Sequence, residues 1–336
     1  METTVLCFYH APCNDGAASA AALQYRLFRD GQIDDDREIR FCPLSYTTDW
    51  DEPFHENYLE NEVQPRFPVK EIYMVDVALS PVKYEQLIQH LRKENRLAAE
   101  DPRVVCIDHH VTMLEKIDVL KEFCDETYVK IGPGLSGATL VWNYFNEHLQ
   151  ESLETPLLLQ YVADQDIWEW KLPNSREVNA ALNIMQGTVD EMERELEKCM
   201  NDPQQWLEDR RRTGEDIIAM VESQVNRSAR QVVDLSIVDG ARLLVVNATS
   251  FSSELGNHLC EDHEESPNAV ALIYSIQNNW AIRCSLRSIP GGRINARQIA
   301  QYYGGGGHDH AAGCRFENFE ALHAALNELQ TPNFTL

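Results

Sequence analysis

Acid and imidazole side chains recur in this chain at the ends of apolar runs. The stretch "VVCIDHH" closes with Asp108, His109 and His110 after four apolar residues. "TVLCFYH" ends at His10 with Asp15 shortly after it, and "IYMVD" ends at Asp76. Asp164 closes a fourth apolar stretch, "PLLLQYVAD". One aspartate after a strand most often caps the next helix, so the repetition carries the weight. Carboxylates delivered to one crevice by neighbouring strands repel one another unless a cation is present. Mixed oxygen and nitrogen donors suit Mn²⁺, with Mg²⁺ or Co²⁺ as related ions, better than they suit a thiolate zinc site. Such an ion lowers the pKa of a bound water and neutralises phosphate oxygens. The residues alone therefore favour a metal-dependent phosphoryl or acyl hydrolase over a purely structural role.

The elements that must position these residues are legible. "TVLCFYH", "EIRFCPLSY", "KEIYMVDVAL" and "RVVCIDHH" read as strands. "DGAASAAALQYRLF", "SPVKYEQLIQHLRKEN" and "SGATLVWNYFNEHL" read as helices between or after them, the second opening with Ser80 as N-cap and Pro81 at the first helical position. Strands alternating with helices predict a mostly parallel sheet with flanking helices, with ligands bound beyond the carboxyl ends of the strands. Residues 188–233 are charged, helical in period and broken near Asp202-Pro203, as expected of a helical connector. From "RLLVVNA" onward a second unit follows: a helix through "SSELGNHLCED", the strands "AVALIYSIQ" and "WAIRCSLRS", and a glycine-rich turn. The expected domains are 1–187, the connector 188–233, and a smaller α/β domain at 234–336.

Composition narrows the partners. The 336 residues hold 54 acidic against 29 basic side chains, a formal charge of −25. Binding a long polyanion needs a basic surface, so long nucleic acid is disfavoured as a substrate. No apolar run approaches the ~20 residues of a membrane span, and the N-terminus lacks the pattern of a signal peptide. Nine cysteines without a C-x-x-C pair point to a reducing cytoplasm rather than a disulfide framework. Cys13 reads as a small packing residue, and the Asp34–Asp36 run as a solvated turn. Trp142, Trp168 and Trp170 read as packing residues, with stacking on a base open for one of them.

The ordered set "FYHAPCNDGAASA", "MVDVAL", "CIDHH" and "VADQDIW" resembles the four motifs of the DHH phosphoesterase superfamily. "SLRS" and "GGGGHDHAAG" resemble elements of its DHH-associated C-terminal domain. Members of that superfamily include exonucleases, oligoribonucleases, cyclic-dinucleotide phosphodiesterases, pAp phosphatases and pyrophosphatases. The resemblance implies one or two metal ions. His10, Asp15 and Asp76 match ligands of the first, with Asp76 bridging, and His109 and Asp164 match ligands of the second. It makes Asp108 the residue that orients the neighbouring histidine and sets His110 toward a substrate phosphate, a water between the ions being the nucleophile. One departure stands out: many members carry D-x-D in the first motif, whereas Asp15 is followed by Gly16 and Ala17. Asp166, Asn14 or a water could replace the carboxylate.

In the C-terminal stretch, backbone amides of Gly305, Gly306 and Gly307 could cradle a phosphate. His308 would add a donor, and Arg287 a planar fork for a terminal phosphate or a guanine edge. A flexible linker is the plain alternative for such a glycine run. The expected activity is hydrolysis of short 5′-phosphorylated linear nucleotides, pGpG or nanoRNA among them, to mononucleotides. A phosphatase for pAp, pyrophosphate or short polyphosphate, and a non-catalytic nucleotide sensor, are the competing expectations. A homodimer is compatible with the sequence.

Overall fold

A computed structural model describes residues 2–29, 37–45, 50–98, 100–185, 187–264 and 266–331, and the Asp34–Asp36 run lies outside them. The chain divides into two units, 1–217 and 218–336.

In the first unit, five strands form one sheet: β1 (Thr3–His10), β2 (Arg37–Leu44), β3 (Val69–Val75), β4 (Arg103–Asp108) and β5 (Glu126–Val129). Their order is β2-β1-β3-β4-β5 and every pairing is parallel. Parallel strands need crossovers, and helices supply them: α1 (Asn14–Arg29), α2 (Tyr58–Glu62), α3 (Pro81–Lys93), α4 (Val111–Glu115) and α5 (Ile117–Leu120). After β5 come α6 (Gly137–His148), α7 (Leu157–Asp166), α8 (Ser175–Asn183) and α9 (Val189–Asn201). The Ser80 side chain accepts from the Lys83 amide and starts α3 as the sequence predicts.

Both faces of the sheet are covered, which is why the inner strands β1, β3 and β4 carry apolar runs, whereas the edge strands β2 and β5 are only partly buried. Side chains alternate between two cores. Val5, Cys7 and Tyr9 of β1, with Tyr73, Val75, Val105 and Ile107, face one core. Leu6, Phe8, Ile72, Met74, Val104 and Cys106 face the other. The alanines of α1 are buried in the first of these, where their small side chains let the helix pack against β1, α6, α7 and α9. α9 also contributes Val189, Met192, Leu196 and Cys199 to this core. The first part of the expected connector thus packs with the first unit.

α10 (Pro203–Ala229) runs across the division between the units. The second unit holds β6 (Val233–Ser236), β7 (Arg242–Asn247), α11 (Ser252–Asp262), β8 (Ala269–Ile276), β9 (Ile282–Ser288), α12 (Ala296–Tyr302), β10 (Gly306–His308), β11 (Ala311–Phe316) and α13 (Phe319–Leu329). Its sheet runs β10-β11-β9-β8-β7-β6. Only β7 and β8 pair in parallel among these strands. The glycine run is neither linker nor open loop: Gly306–His308 pairs with Ala311–Gly313 as a hairpin.

Candidate metal centre

The strand register assembles the site. Tyr9 pairs with Val75, and Val75 with Ile107. The next residues beyond that row are His10, Asp76 and Asp108, delivered to the carboxyl edge at the β1/β3 reversal of strand order, where ligands bind in such sheets. Asp76 leaves its strand with a φ of 57°, a left-handed value costly for most residues, while its amide still donates to the Ile107 carbonyl at 3.0 Å.

Two glycines let helices crowd this edge. A Cβ on Gly16 would stand 2.1 Å from the His10 carbonyl oxygen, so α1 begins directly over the end of β1. A Cβ on Gly137 would meet the Asp76 Cβ at 2.6 Å and Asp15 Oδ2 at 2.9 Å. α6 therefore points its N-terminus at Asp15, whose carboxylate accepts from Ser136 Oγ at 2.6 Å, the Gly137 amide at 2.7 Å and the Ala138 amide at 3.0 Å. A helix N-terminus suits an anion, and here it fixes both oxygens of a buried one.

His109 stands among three carboxylates. Its Nε2 is 3.2 Å from Asp76 Oδ1, 3.3 Å from Asp166 Oδ2 and 3.7 Å from Asp15 Oδ2. That buried nitrogen completes no hydrogen bond among the described residues. His10 Nδ1 lies 3.5 Å from Asp76 Oδ2. Three groups of donor atoms, each within 4.8 Å of one another, result: His10, Cys13 and Asp76; Asp76, His109 and His110; and Asp15, His109 and Asp166. Asp76 is common to two of them.

Several sequence expectations place differently. Asp164 is not brought into these groups. Its oxygens accept from the Lys171 and Leu172 amides at 2.8 and 3.2 Å. Residues two apart on a helix face nearly opposite ways, so Asp166 reaches His109 while Asp164 holds the following turn. Asp108 orients His110 rather than His109, accepting from the His110 amide at 2.7 Å and its Nδ1 at 2.9 Å. Ala17 is buried in the α1 core. Asn14 donates to Asn183 at 2.8 Å. Cys13 is half-buried, unlike the other eight cysteines, which are buried. It lines a cavity of about 310 Å³ with Asn14, Asp15, Asp166 and Trp168. Trp142 is a core residue as expected, whereas Trp168 is 75% exposed at this cavity, also with a left-handed φ.

The electrostatics follow from the crowding. Burial raises the Asp15 carboxyl well above its ordinary value, and the charges of Asp76 and Asp166 add to this against His109 and Ser136. Burial likewise lifts Asp166, partly offset by His109. Burial opposes charge on His10, yet contact with Asp76 and Cys13 carries it up to about 10. Burial also opposes charge on His109, and contact with Asp76 with the charges of Asp15 and Asp166 carries it up to about 9. For Asp76, burial is outweighed by His10, His109 and His110, which hold it below the usual carboxylate range. The imidazole protons thus neutralise the carboxylates, a role a divalent cation fills with the same carboxylate oxygens and the otherwise unbonded His109 Nε2. The donor set fits an ion of the Mn²⁺ or Mg²⁺ type.

In the second unit, Arg287, Arg297, His308 and His310 line a cavity of about 570 Å³ with Ser288, Asn257, Asp309 and Ala311. Arg287 is held by Ser253 Oγ at 2.6 Å and the Leu286 carbonyl at 2.9 Å. The expected glycine cradle differs. The Gly305 amide donates to the Ala300 carbonyl at 2.8 Å, and Gly306 and Gly307 lie in the hairpin ladder. Close approach explains Gly305 and Gly307, since a Cβ would stand 2.1 Å from the Gly313 oxygen at the first and 2.6 Å from the Ala311 oxygen at the second. His308 lines the cavity, and those three glycines do not.

Comparison with known proteins agrees with the resemblance in the sequence. The DHHA1 domain family matches residues 242–331. The uncharacterized protein R106 of Acanthamoeba polyphaga mimivirus is 26% identical over 93% of this chain, which spans 67% of that protein. The oligoribonuclease NrnB of Bacillus subtilis is 25% identical over 72% of this chain, and the match spans 58% of NrnB. Among solved structures, the pGpG-specific phosphodiesterase PggH from Vibrio cholerae aligns over 98% of both chains at 12% identity with a TM-score of 0.46. No helix of the described residues is long and apolar enough to cross a membrane. Residues 242–331 thus match the DHHA1 domain family, in agreement with the ordered motifs of the first unit that resemble the DHH superfamily.

Proposed function

We propose that this chain is a metal-dependent phosphodiesterase that hydrolyses short 5′-phosphorylated linear nucleotides, pGpG and nanoRNA among them, to mononucleotides. The observation that carries the reading is the convergence of Asp15, Asp76 and Asp166 on His109, at 3.2–3.7 Å, where the strand order reverses. His10, Asp15, Asp76, His109 and Asp166 would hold the metal, Asp166 taking the place that the resemblance assigns to Asp164. A bound divalent ion supplies charge neutralisation at phosphate oxygens and a more acidic water.

The remaining work falls to the chain's own residues. The α6 N-terminus fixes both Asp15 oxygens, and Asp108 holds His110 through two hydrogen bonds, so the ligands are set before substrate arrives. His110, with its side chain 35% exposed, is the imidazole that meets the substrate phosphate. The exposed Trp168 indole beside Asp166 offers a stacking face for a base. In the second unit, Arg287 offers a guanidinium and His308 a ring donor suited to a substrate phosphate, in a cavity where Arg297 pairs with Asp309 at 3.3 Å.

Product analysis tests this reading. The purified protein is incubated with Mn²⁺ and a length series of 5′-phosphorylated RNAs including pGpG and pApA, with pAp and pyrophosphate alongside. Mononucleotides from dinucleotides, absent with Asp76→Ala, are the expected outcome. Inorganic phosphate from pAp or pyrophosphate alone would replace the reading with a phosphatase. Ligand binding without turnover would replace it with a sensor.

A further inference from the structure

Cys13 is the cysteine that the fold leaves at the candidate site. The other eight are buried, and none of them belongs to a candidate group of metal donors among the described residues. Cys13 lies in the short turn between His10, the last residue of β1, and Asn14, the first of α1. Its carbonyl accepts from the Ala17 amide at 3.1 Å, which ties the backbone into the first helical turn and leaves the side chain toward the cavity. The Sγ, a ring nitrogen of His10 and a carboxylate oxygen of Asp76 all lie within 4.8 Å of one another. Donors sharing one ion at about 2.0–2.3 Å stand roughly 3–4 Å apart, so a small side-chain adjustment closes this group around a cation.

The geometry points to Cys13 as a thiolate ligand of the ion held by His10 and Asp76, giving one half of the centre a sulfur–nitrogen–oxygen donor set. This rests on the metal-dependent reading above. The position two residues before Asp15 thereby supplies the donor for which the sequence offered no carboxylate at Ala17. As the ion binds, the thiol proton passes to solvent and the sulfur–metal bond forms, with no change in oxidation state. Asp15, His109 and Asp166 form a second, all oxygen–nitrogen group, so the two halves of the centre differ in softness. The sulfur-containing half favours ions such as Co²⁺, Fe²⁺ or Zn²⁺ over Mg²⁺, and the other half accepts harder ions.

Cobalt is the probe. Metal-stripped full-length protein is titrated anaerobically with Co²⁺ while its absorption spectrum is recorded, alongside Cys13→Ser and Cys13→Asp, with circular dichroism confirming that each is folded. The wild type should develop a near-ultraviolet thiolate-to-cobalt charge-transfer band together with visible ligand-field bands. Both variants should lose the charge-transfer band and keep the ligand-field bands, and Cys13→Asp should shift the competition between Co²⁺ and Mg²⁺ toward Mg²⁺. Ligand-field bands without charge transfer in the wild type would overturn the Cys13 assignment and leave the metal centre standing. A charge-transfer band that persists in both variants would also overturn it, since another cysteine would be the source. No cobalt spectrum in any form would overturn both the assignment and the reading beneath it.

Discussion

Among the carboxylates of the site, His10 and His109 hold their protons past the range of an ordinary imidazole. Both are partly buried, which opposes charge, but contact with Asp76 and the surrounding anions carries them to about 10 and about 9. An unfolded histidine titrates near ~6.5. The folded, metal-free protein thus binds these protons more tightly than the unfolded chain. The resulting stability is fully present below about pH 6.5 and is lost as pH rises through about 9 and then about 10. The depressed Asp76 contributes stability above ~3.8 and adds no slope in the alkaline range. The melting temperature of protein stripped with a chelator should therefore fall between neutral and strongly alkaline pH. His10→Gln with His109→Gln should remove much of that slope, and saturating Mn²⁺ should flatten it, because the cation displaces the same protons. A flat profile for the stripped wild type would mean that the imidazoles are already neutral.

At the scale of elements, the site depends on how closely α6 and α1 approach the sheet edge. Gly137 permits the first, with no room for a Cβ beside Asp76 and Asp15. Gly137→Ala should push the helix N-terminus off the Asp15 carboxylate. Overpacking of this kind costs about 1–3 kcal/mol, measurable by denaturant unfolding of the metal-free protein. Mn²⁺ affinity by calorimetry should fall as well, because the ligand geometry moves with the helix. Unchanged affinity in a folded Gly137→Ala would show that the helix end does not set the ligands. The turn after α7 follows a similar logic. The Asp164 carboxylate and carbonyl hold the amides of residues 169–172 and so fix the segment that carries Trp168.

For the whole molecule, 54 acidic against 29 basic residues bear on the length of substrate that the proposed function allows. Under the proposed function, a polyanion gains repulsion with each added phosphate, whereas a dinucleotide is short enough to meet little beyond the guanidinium groups of a small cavity such as that lined by Arg287 and Arg297. The catalytic efficiency kcat/KM should thus decline with RNA length. Added salt should improve long substrates relative to short ones, by screening repulsion over a Debye length of about 10 Å at 0.1 M. The check is a length series assayed at two ionic strengths. Steep inhibition of the longer RNAs by salt would instead reveal a basic track that binds them.

The strands that end at His10, Asp76 and Asp108 were legible because burial on both faces demands continuous apolar runs, and their polar ends break those runs visibly. The helices α1, α3 and α6 were legible through caps and period, whereas the short α2, α4, α5 and α8 were not. β5, β6 and the hairpin of β10 and β11 were not, since short edge strands and glycine runs carry little periodic signal. At the site, the sequence determined which residue types would meet. Tertiary structure decided which member of each close pair did so. Asp166 rather than Asp164 reaches His109 because two helical residues apart turn to opposite faces. Asp108 grips His110 rather than His109, and Cys13, read as packing, stands at the cavity. Such choices depend on rotation about elements and on which neighbour arrives from a distant part of the chain, and no local spacing encodes them.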